Sequence, residues 1–315
     1  MVDPVERMAT AGRTLTVDEL MGLWLATKAA LPGLKTADNV ATDYREVLRT
    51  FSGQLAAQVL PSEVRVWTAR DRGQSLRRRS LLALRQAYRL AIADGMLKSD
   101  PTMGVPLPKP AQPDLRFLSW NELRRLAVEA GDDPLIWLLG TVGLRLGEAC
   151  GLQVDDVRAN RIRVSRQITL SSQGAVQGAP KHGRSRDVPV PAFVLNMLPL
   201  EGRVGSEWLY SNRSGGPFDS HNWRARVFKP AAARAGFPGM HPHELRHTAA
   251  SLAIQSGADV KVVQRMLGHA SATLTLDLYG HLFDSALDDV SARMDAAHAA
   301  TFGALQAVPP VADAG

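Results

Sequence analysis

The stretch His243–Leu282 reads HELRHTAASLAIQSGADVKVVQRMLGHASATLTLDLYGHL, and the rest of the chain is best understood outward from it. His243 and Arg246 stand three residues apart, a spacing that puts both on one helix face and lets one site receive them. His269 follows alone in Leu-Gly-His, and Tyr279 comes ten residues later among small and polar residues. A guanidinium beside imidazoles suits a phosphodiester, which needs fixed positive charge and a group to manage protons. A tyrosine in the same neighbourhood offers a covalent nucleophile. These residue types together suit strand transfer on DNA.

The bulk properties are compatible with that chemistry. With 315 residues, 45% of them hydrophobic, the chain is long enough for two domains with separate cores. The net charge of +6 fits a nucleic-acid partner. Most of the basic charge is arginine, which favours planar contacts to phosphate or guanine, although a GC-rich genome explains the bias equally well. A single Cys150 excludes an internal disulfide and fits a reducing compartment. The opening MVDPVERMATAG has no apolar core and is not a signal peptide. The longest apolar run, Pro134 to Leu144, is too short to span a bilayer and leads into Arg145 and Glu148. The expectation is a cytoplasmic protein with no membrane partner.

Periodicity predicts helices through most of the chain. Thr16 and Glu19 form a capping-box pattern ahead of Leu20, Leu23 and Trp24. A second helix carries Val40, Tyr44, Leu48 and Phe51, and a third begins near Ser75 with Leu81, Leu84, Tyr88 and Ala91 on one side. Arg78, Arg85 and Arg89 line another side of that third helix, with Arg77 and Arg79 beside them. Those arginines read equally as a DNA-binding face or as a solvated basic face. The segment SDPTMGVPLPKPAQP has five prolines and makes an extended connector, which places a domain boundary there. Ser119 and Glu122 repeat the capping box beyond it. RIRVSRQITL, residues 161–170, alternates as a strand, and KHGRSRDVPVP reads as a turn and a second strand. Helical pattern then runs to Ala300, and the tail GALQAVPPVADAG has no periodicity and reads as disordered.

Single residues are ambiguous. Arg145, emerging from an apolar helix, needs a partner; taken alone, a structural pair with Glu148 is a simpler reading than a ligand phosphate. Lys181, taken alone, is a surface lysine, His269 a helix cap and Tyr279 a core aromatic. HELRH also matches the zinc-protease signature His-Glu-x-x-His. A third ligand is hard to find: no glutamate follows Glu244, Ala253 stands where the extended motif needs histidine, and Asp259 and His269 are weak substitutes. That reading also leaves Arg145, Arg246 and Tyr279 without a purpose.

The ordered set is more specific than its members. GLRLGEACGL, PKHGRSRDVPVP, HPHELRHTAASLAIQSGADVKVVQRMLGH and TLTLDLYGHL resemble, in order, the first-arginine, lysine-hairpin, second-arginine and tyrosine boxes of the tyrosine recombinases, integrase type. LTVDELMGLWLATKAA and SLRRRSLLALRQAYRLAIADGMLKSDPT look like that family's core-type DNA-binding domain. The resemblance implies a mainly α fold: a leader at 1–13, a helical (SAM-like) DNA-binding domain at 14–100, a linker at 101–113, a mostly helical catalytic domain with a small antiparallel sheet at 114–302, and a tail at 303–315. It implies a clamp around duplex DNA in which Tyr279 attacks the scissile phosphate. Arg145 and Arg246 hold its oxygens, Lys181 protonates the leaving oxygen, His243 manages the tyrosine proton, and His269 bonds the phosphate, with Glu148 in support. It implies no metal or nucleotide cofactor, a homotetramer on two DNA sites, and a possible directionality factor. The helix after Tyr279, with Leu287, Val290 and Met294, would pack on its own domain or, as is common in the family, dock on a neighbouring protomer, the second being the preferred reading. With so short a leader, no separate arm-binding domain is expected, so recognition should be confined to core-type sites. A chromosome-dimer resolvase and a catalytically dead DNA-binding relative are the alternatives.

Overall fold

The computed structural model describes residues 14–28, 34–70, 73–109, 116–171, 174–180, 183–283 and 285–303. The leader 1–13, the end of the Pro-rich connector, Lys181 and the tail from residue 304 lie outside these, as do the side chains of Leu287 and Val290. The chain divides into two compact units, Met1–Asp114 with Leu170–Val176, and Leu115–Thr169 with Gln177–Gly315. No described helix is long and apolar enough to cross a membrane.

The first unit holds α1 (Val17–Lys28), α2 (Leu34–Phe51), α3 (Pro61–Thr68) and α4 (Gln74–Ala93). Thr16 and Glu19 start α1 reciprocally: the Thr16 amide donates to Glu19 Oε2 at 3.0 Å, and the Glu19 amide to Thr16 Oγ1 at 3.2 Å. The apolar stripes of these helices close a core around Leu20, Trp24, Phe51, Trp67, Leu84 and Tyr88. Phe51 meets Trp67 edge-on at 5.3 Å, and the buried Tyr88 hydroxyl donates to Ala56 O at 2.9 Å. The sequence pattern did not reveal α3, whose eight residues present only a short apolar stripe, Val64 and Trp67.

The second unit opens with α5 (Trp120–Glu129) and α6 (Pro134–Val142). Ser119 caps α5 through a reciprocal pair with Glu122, and Asp133 caps α6 by accepting from the Leu135 amide at 2.9 Å. Leu135, Ile136, Leu138, Leu139 and Val142 are all buried, because α6 is covered on several sides, chiefly by α11 (Pro242–Gln255). Between them in the chain come α7 (Leu146–Cys150), five short strands, α8 (Ala192–Leu195), and α9 (Ser220–Trp223), which passes through a π turn into α10 (Lys229–Arg234). After α11 come α12 (Val260–Leu267), α13 (Ala272–Tyr279) and α14 (Ser285–Phe302).

The strands correct one expectation. Residues 161–170 are not a single strand: β2 (Arg161–Val164) and β3 (Gln167–Ser171) belong to different sheets. β2 lies between β1 (Val157–Arg158) and β5 (Arg186–Pro189) in an antiparallel sheet with Ile162 opposite Val188, whereas β3 pairs with β4 (Gly174–Gly178). The break falls at Arg166, whose guanidinium turns to Gly151 O and the Asp156 carboxylate. Alternation of residue types runs straight through that break, so periodicity alone does not register it.

Gly147, inside α7, tests how closely β3 packs on this region. A Cβ there would lie 2.7 Å from the Ile168 carbonyl oxygen, which belongs to the backbone and cannot swing aside. Gly147→Ala is expected to cost roughly 1–3 kcal/mol despite alanine's better helix propensity. The denaturant midpoint should fall at unchanged m value; an equal or higher midpoint would show that the gap is open.

Candidate active site

The site begins where α6 ends. Gly143 terminates that helix at φ 72°, in the left-handed region, and a Cβ on it would meet Leu267 Cδ2 at 2.7 Å. The chain then presents Arg145 at the N-cap of α7. Its amide donates to Glu148 Oε2 at 2.9 Å and its Nη1 to Glu148 Oε1 at 2.8 Å. Arg186, from β5, reaches the same carboxylate with both terminal nitrogens, at 3.0 and 2.8 Å, and bonds Met266 O through Nε at 3.1 Å. Glu148 is wholly buried. Burial pushes its carboxyl up, but the hydrogen bond and charge of Arg186, then those of Arg145, outweigh burial and hold it at about 2.

Arg246 lies on α11 and is 2% exposed. Its Nη1 donates to Gly143 O at 2.6 Å and its Nη2 to Leu267 O at 2.5 Å. Burial, and then the charge of Arg145, lower this guanidinium to about 9, with Glu148 acting against them. Two guanidinium groups of like charge facing one site make a seat for an anion.

Three histidines and the tyrosine complete the cluster. α12 stops at Gly268, φ 65°, and the next residue is His269, whose Nδ1 is 3.0 Å from Thr275 Oγ1. Burial, then Arg246 and Arg145, push His269 down to about 4. Tyr279 ends α13, is fully buried, and places its hydroxyl 2.8 Å from His247 Nδ1. Burial pushes the phenol up to about 12, against the pull of Arg246. His247 is driven to about 4 by burial, then by His243 and Arg246. His243 is exposed at the start of α11, and its ring meets that of His247 edge-on at 5.1 Å.

Arg145, Glu148, Arg246, His269 and Tyr279 thus converge, with His243 at the edge, while Lys181 is outside the described residues. The expectation that His243 and Arg246 share a face is met only loosely, since one is exposed and the other buried. Sequence reasoning passed over two participants. Arg186 was visible only as an extra arginine in the lysine hairpin, and His247 only as a half of the zinc motif. Among the described residues no group of three His, Cys, Asp or Glu is placed to hold a metal ion.

Next to Arg186 and His269 opens a groove of about 790 Å³ that is also lined by Arg161, Arg184, Lys261 and Arg265. The arginines of α4 are more occupied. Arg77 donates to Trp67 O, Arg78 to Pro108 O, Arg79 to Asp43, and Arg85 to Thr102 O and Val105 O, while Arg89 is exposed.

Residues 121–286 match the phage integrase family. The chain belongs to that family. It is a tyrosine recombinase, an enzyme that transfers DNA strands. The recombinase is 34% identical to the tyrosine recombinase XerD of Mycobacterium tuberculosis strain H37Rv over 213 residues, 62% of this chain and 67% of that one. With XerD of Pseudomonas aeruginosa it shares 30% over 307 residues, covering 91% of this chain and 98% of the relative. Its fold is similar to the Tn1549 transposon integrase solved in complex with a circular intermediate DNA, at TM-score 0.73 and 22% identity, covering 88% of this chain and 99% of the other. It is also similar to the lambda integrase of a dimer bound to a COC′ core site, at TM-score 0.68 and 18% identity over 88% and 81%. Family membership overturns the zinc-protease reading of HELRH.

Glu148 gives the recombinase a signature in acid. Its folded pKa is depressed to about 2 from an ordinary 4.5, so the stability it contributes is present above pH 4.5 and is lost as pH falls toward 2. Glu148→Gln should remove roughly 3–5 kcal/mol at neutral pH by leaving Arg145 and Arg186 facing each other, and should flatten this acid limb. Denaturation curves measured from neutral to acid pH check both; parallel curves for the two proteins would contradict the assignment.

Proposed function

We propose that the protein is a site-specific recombinase that cuts and rejoins duplex DNA through a 3′-phosphotyrosyl bond at Tyr279, integrating or excising a phage or other mobile element. The observation that carries this is the convergence of the Tyr279 phenol and His269 on the paired guanidinium groups of Arg145 and Arg246. Arg145 and Arg246 stabilise the charge that builds on the non-bridging oxygens as phosphorus becomes pentacovalent. The tyrosine oxygen forms the new P–O bond, the bond to the 5′ oxygen breaks, and Lys181 protonates the departing oxygen. His269 bonds the phosphate, Glu148 holds Arg145 in position, and His243, expected to manage the tyrosine proton, lies exposed at the edge of the site. The phosphotyrosyl bond conserves the energy of the phosphodiester, so the reaction calls for neither nucleotide nor metal. Because the hydroxyl is buried, α13 must shift to bring it to the DNA.

The domain at 14–100, through Arg77, Arg78, Arg79, Arg85 and Arg89, and the catalytic domain at 114–302 both bind a core-type site. The lambda integrase has been solved as a tetramer bound to a Holliday junction, and we assign the same assembly to this recombinase, with a directionality factor selecting between integration and excision. The near full-length similarity to XerD of Pseudomonas aeruginosa favours a second reading, resolution of chromosome dimers at one host site. The two separate on their DNA. An integrase joins two unlike attachment sites, and a resolvase joins two copies of one site.

Covalent trapping on nicked attachment-site DNA tests the chemistry. Tyr279→Phe should bind DNA as the wild type does and form no adduct; an adduct at another residue would overturn the assignment. Arg145→Ala and Lys181→Ala should both be slow on ordinary DNA, by roughly 10²-fold or more. A 5′-bridging phosphorothiolate, whose sulfur leaves without an acid, should restore Lys181→Ala alone. Equal rescue of both variants would remove the lysine from its role.

A further inference from the structure

The Tyr279 hydroxyl bonds to a residue outside the set that the family resemblance supplies. His247 Nδ1 lies 2.8 Å from it, and Phe117 packs edge-on against both rings, at 6.4 and 6.2 Å between centroids. The other two histidines are differently placed. His269 gives its Nδ1 to Thr275 Oγ1, and His243 is exposed, one helical turn before His247 and edge-on to it.

We propose that His247 is the proton acceptor for Tyr279, taking the phenolic proton on Nδ1 as the tyrosine oxygen closes on phosphorus. The proposal rests on Tyr279 being the nucleophile, as argued above. A buried phenol is almost wholly protonated at neutral pH, so attack needs a base within hydrogen-bond reach. The groups around His247 are His243 and Arg246 on its own helix, Tyr279 on α13, His269 after α12, and the apolar Phe117. Burial, then His243 and Arg246 on α11, favour the neutral imidazole. Its proton is assigned to Nε2, so that Nδ1 accepts from the phenol. A scissile phosphate entering between Arg145 and Arg246 brings negative charge that offsets those cations. That charge raises the basicity of His247 when the proton must move. The balance closes: the Tyr279 O–H bond breaks and an N–H bond forms on His247. The tyrosine oxygen bonds phosphorus as the P–O5′ bond breaks, and a separate acid protonates the 5′ oxygen. In the rejoining step His247 returns its proton to the tyrosine.

The test uses the full chain and a nicked DNA carrying a 5′-bridging phosphorothiolate, so that protonation of the leaving group does not limit the rate. Single-turnover adduct formation is followed from about pH 6 to 9, a range in which a neutral His247 gives the wild type a flat profile. His247→Asn keeps a hydrogen-bond acceptor but no base. It should bind DNA with wild-type affinity yet react roughly 10²–10⁴-fold more slowly at pH 7, its rate climbing about tenfold per pH unit as hydroxide takes over. His243→Ala should be slower but flat. A flat His247→Asn profile near the wild-type rate, or the slope appearing in His243→Ala instead, overturns the proposal. Should the asparagine variant not fold, His247→Gln carries the same comparison. An adduct that persists in Tyr279→Phe sinks the nucleophile itself; a fast, flat His247→Asn sinks only the histidine's role.

Discussion

One carboxylate, Glu148, is fully buried and receives two guanidinium groups, Arg145 from its own helical turn and Arg186 from β5. Taking these charges out of water is expensive, and the arrangement survives because every strong bond is made. The pair of arginines leaves an excess positive charge beside the carboxylate, and Arg246 adds another. The same contacts draw three distant segments together. Arg186 bonds Met266 O, Arg145 bonds Gly268 O, and Arg246 bonds both Gly143 O and Leu267 O. The end of α12 is therefore held by three arginines through its free carbonyls, and His269 emerges from that fastened turn.

Two glycines make the approach possible. Gly143 and Gly268 both adopt positive φ, which lets α6 and α12 stop abruptly and expose the carbonyls that the arginines need. Each also leaves room for a neighbour: a Cβ on Gly143 would strike Leu267, and one on Gly268 would lie 3.0 Å from the Arg186 guanidinium. The positive cluster thus depends on side chains that are absent as much as on those present.

The tyrosine proposed as nucleophile is enclosed. Tyr279 is shielded from solvent, its phenol is harder to ionise than usual, and its hydroxyl is engaged by a neutral imidazole. The first unit shows a related economy. Most of the arginines of α4 already donate to carbonyls or carboxylates in their own unit, which fixes the orientation of their planar groups.

The helices and the ordered boxes were legible in the sequence because they rest on local physics. Thr16–Glu19 and Ser119–Glu122 cap their helices as their spacing implies. Arg145 was legible in both its possible roles, and the structure realises the structural pair with Glu148 within a site that also suits a phosphate. The division of residues 161–170 between two sheets was not legible, since alternation says which side chains share a face but not which strand will lie alongside. Nor was Arg186 as a partner of Glu148, 38 residues apart, or His247 as a partner of Tyr279, 32 residues apart. Sequence spacing sets which side chains meet along one helix. Which histidine meets the tyrosine is decided only when α11 and α13 pack, because that contact belongs to neither helix alone.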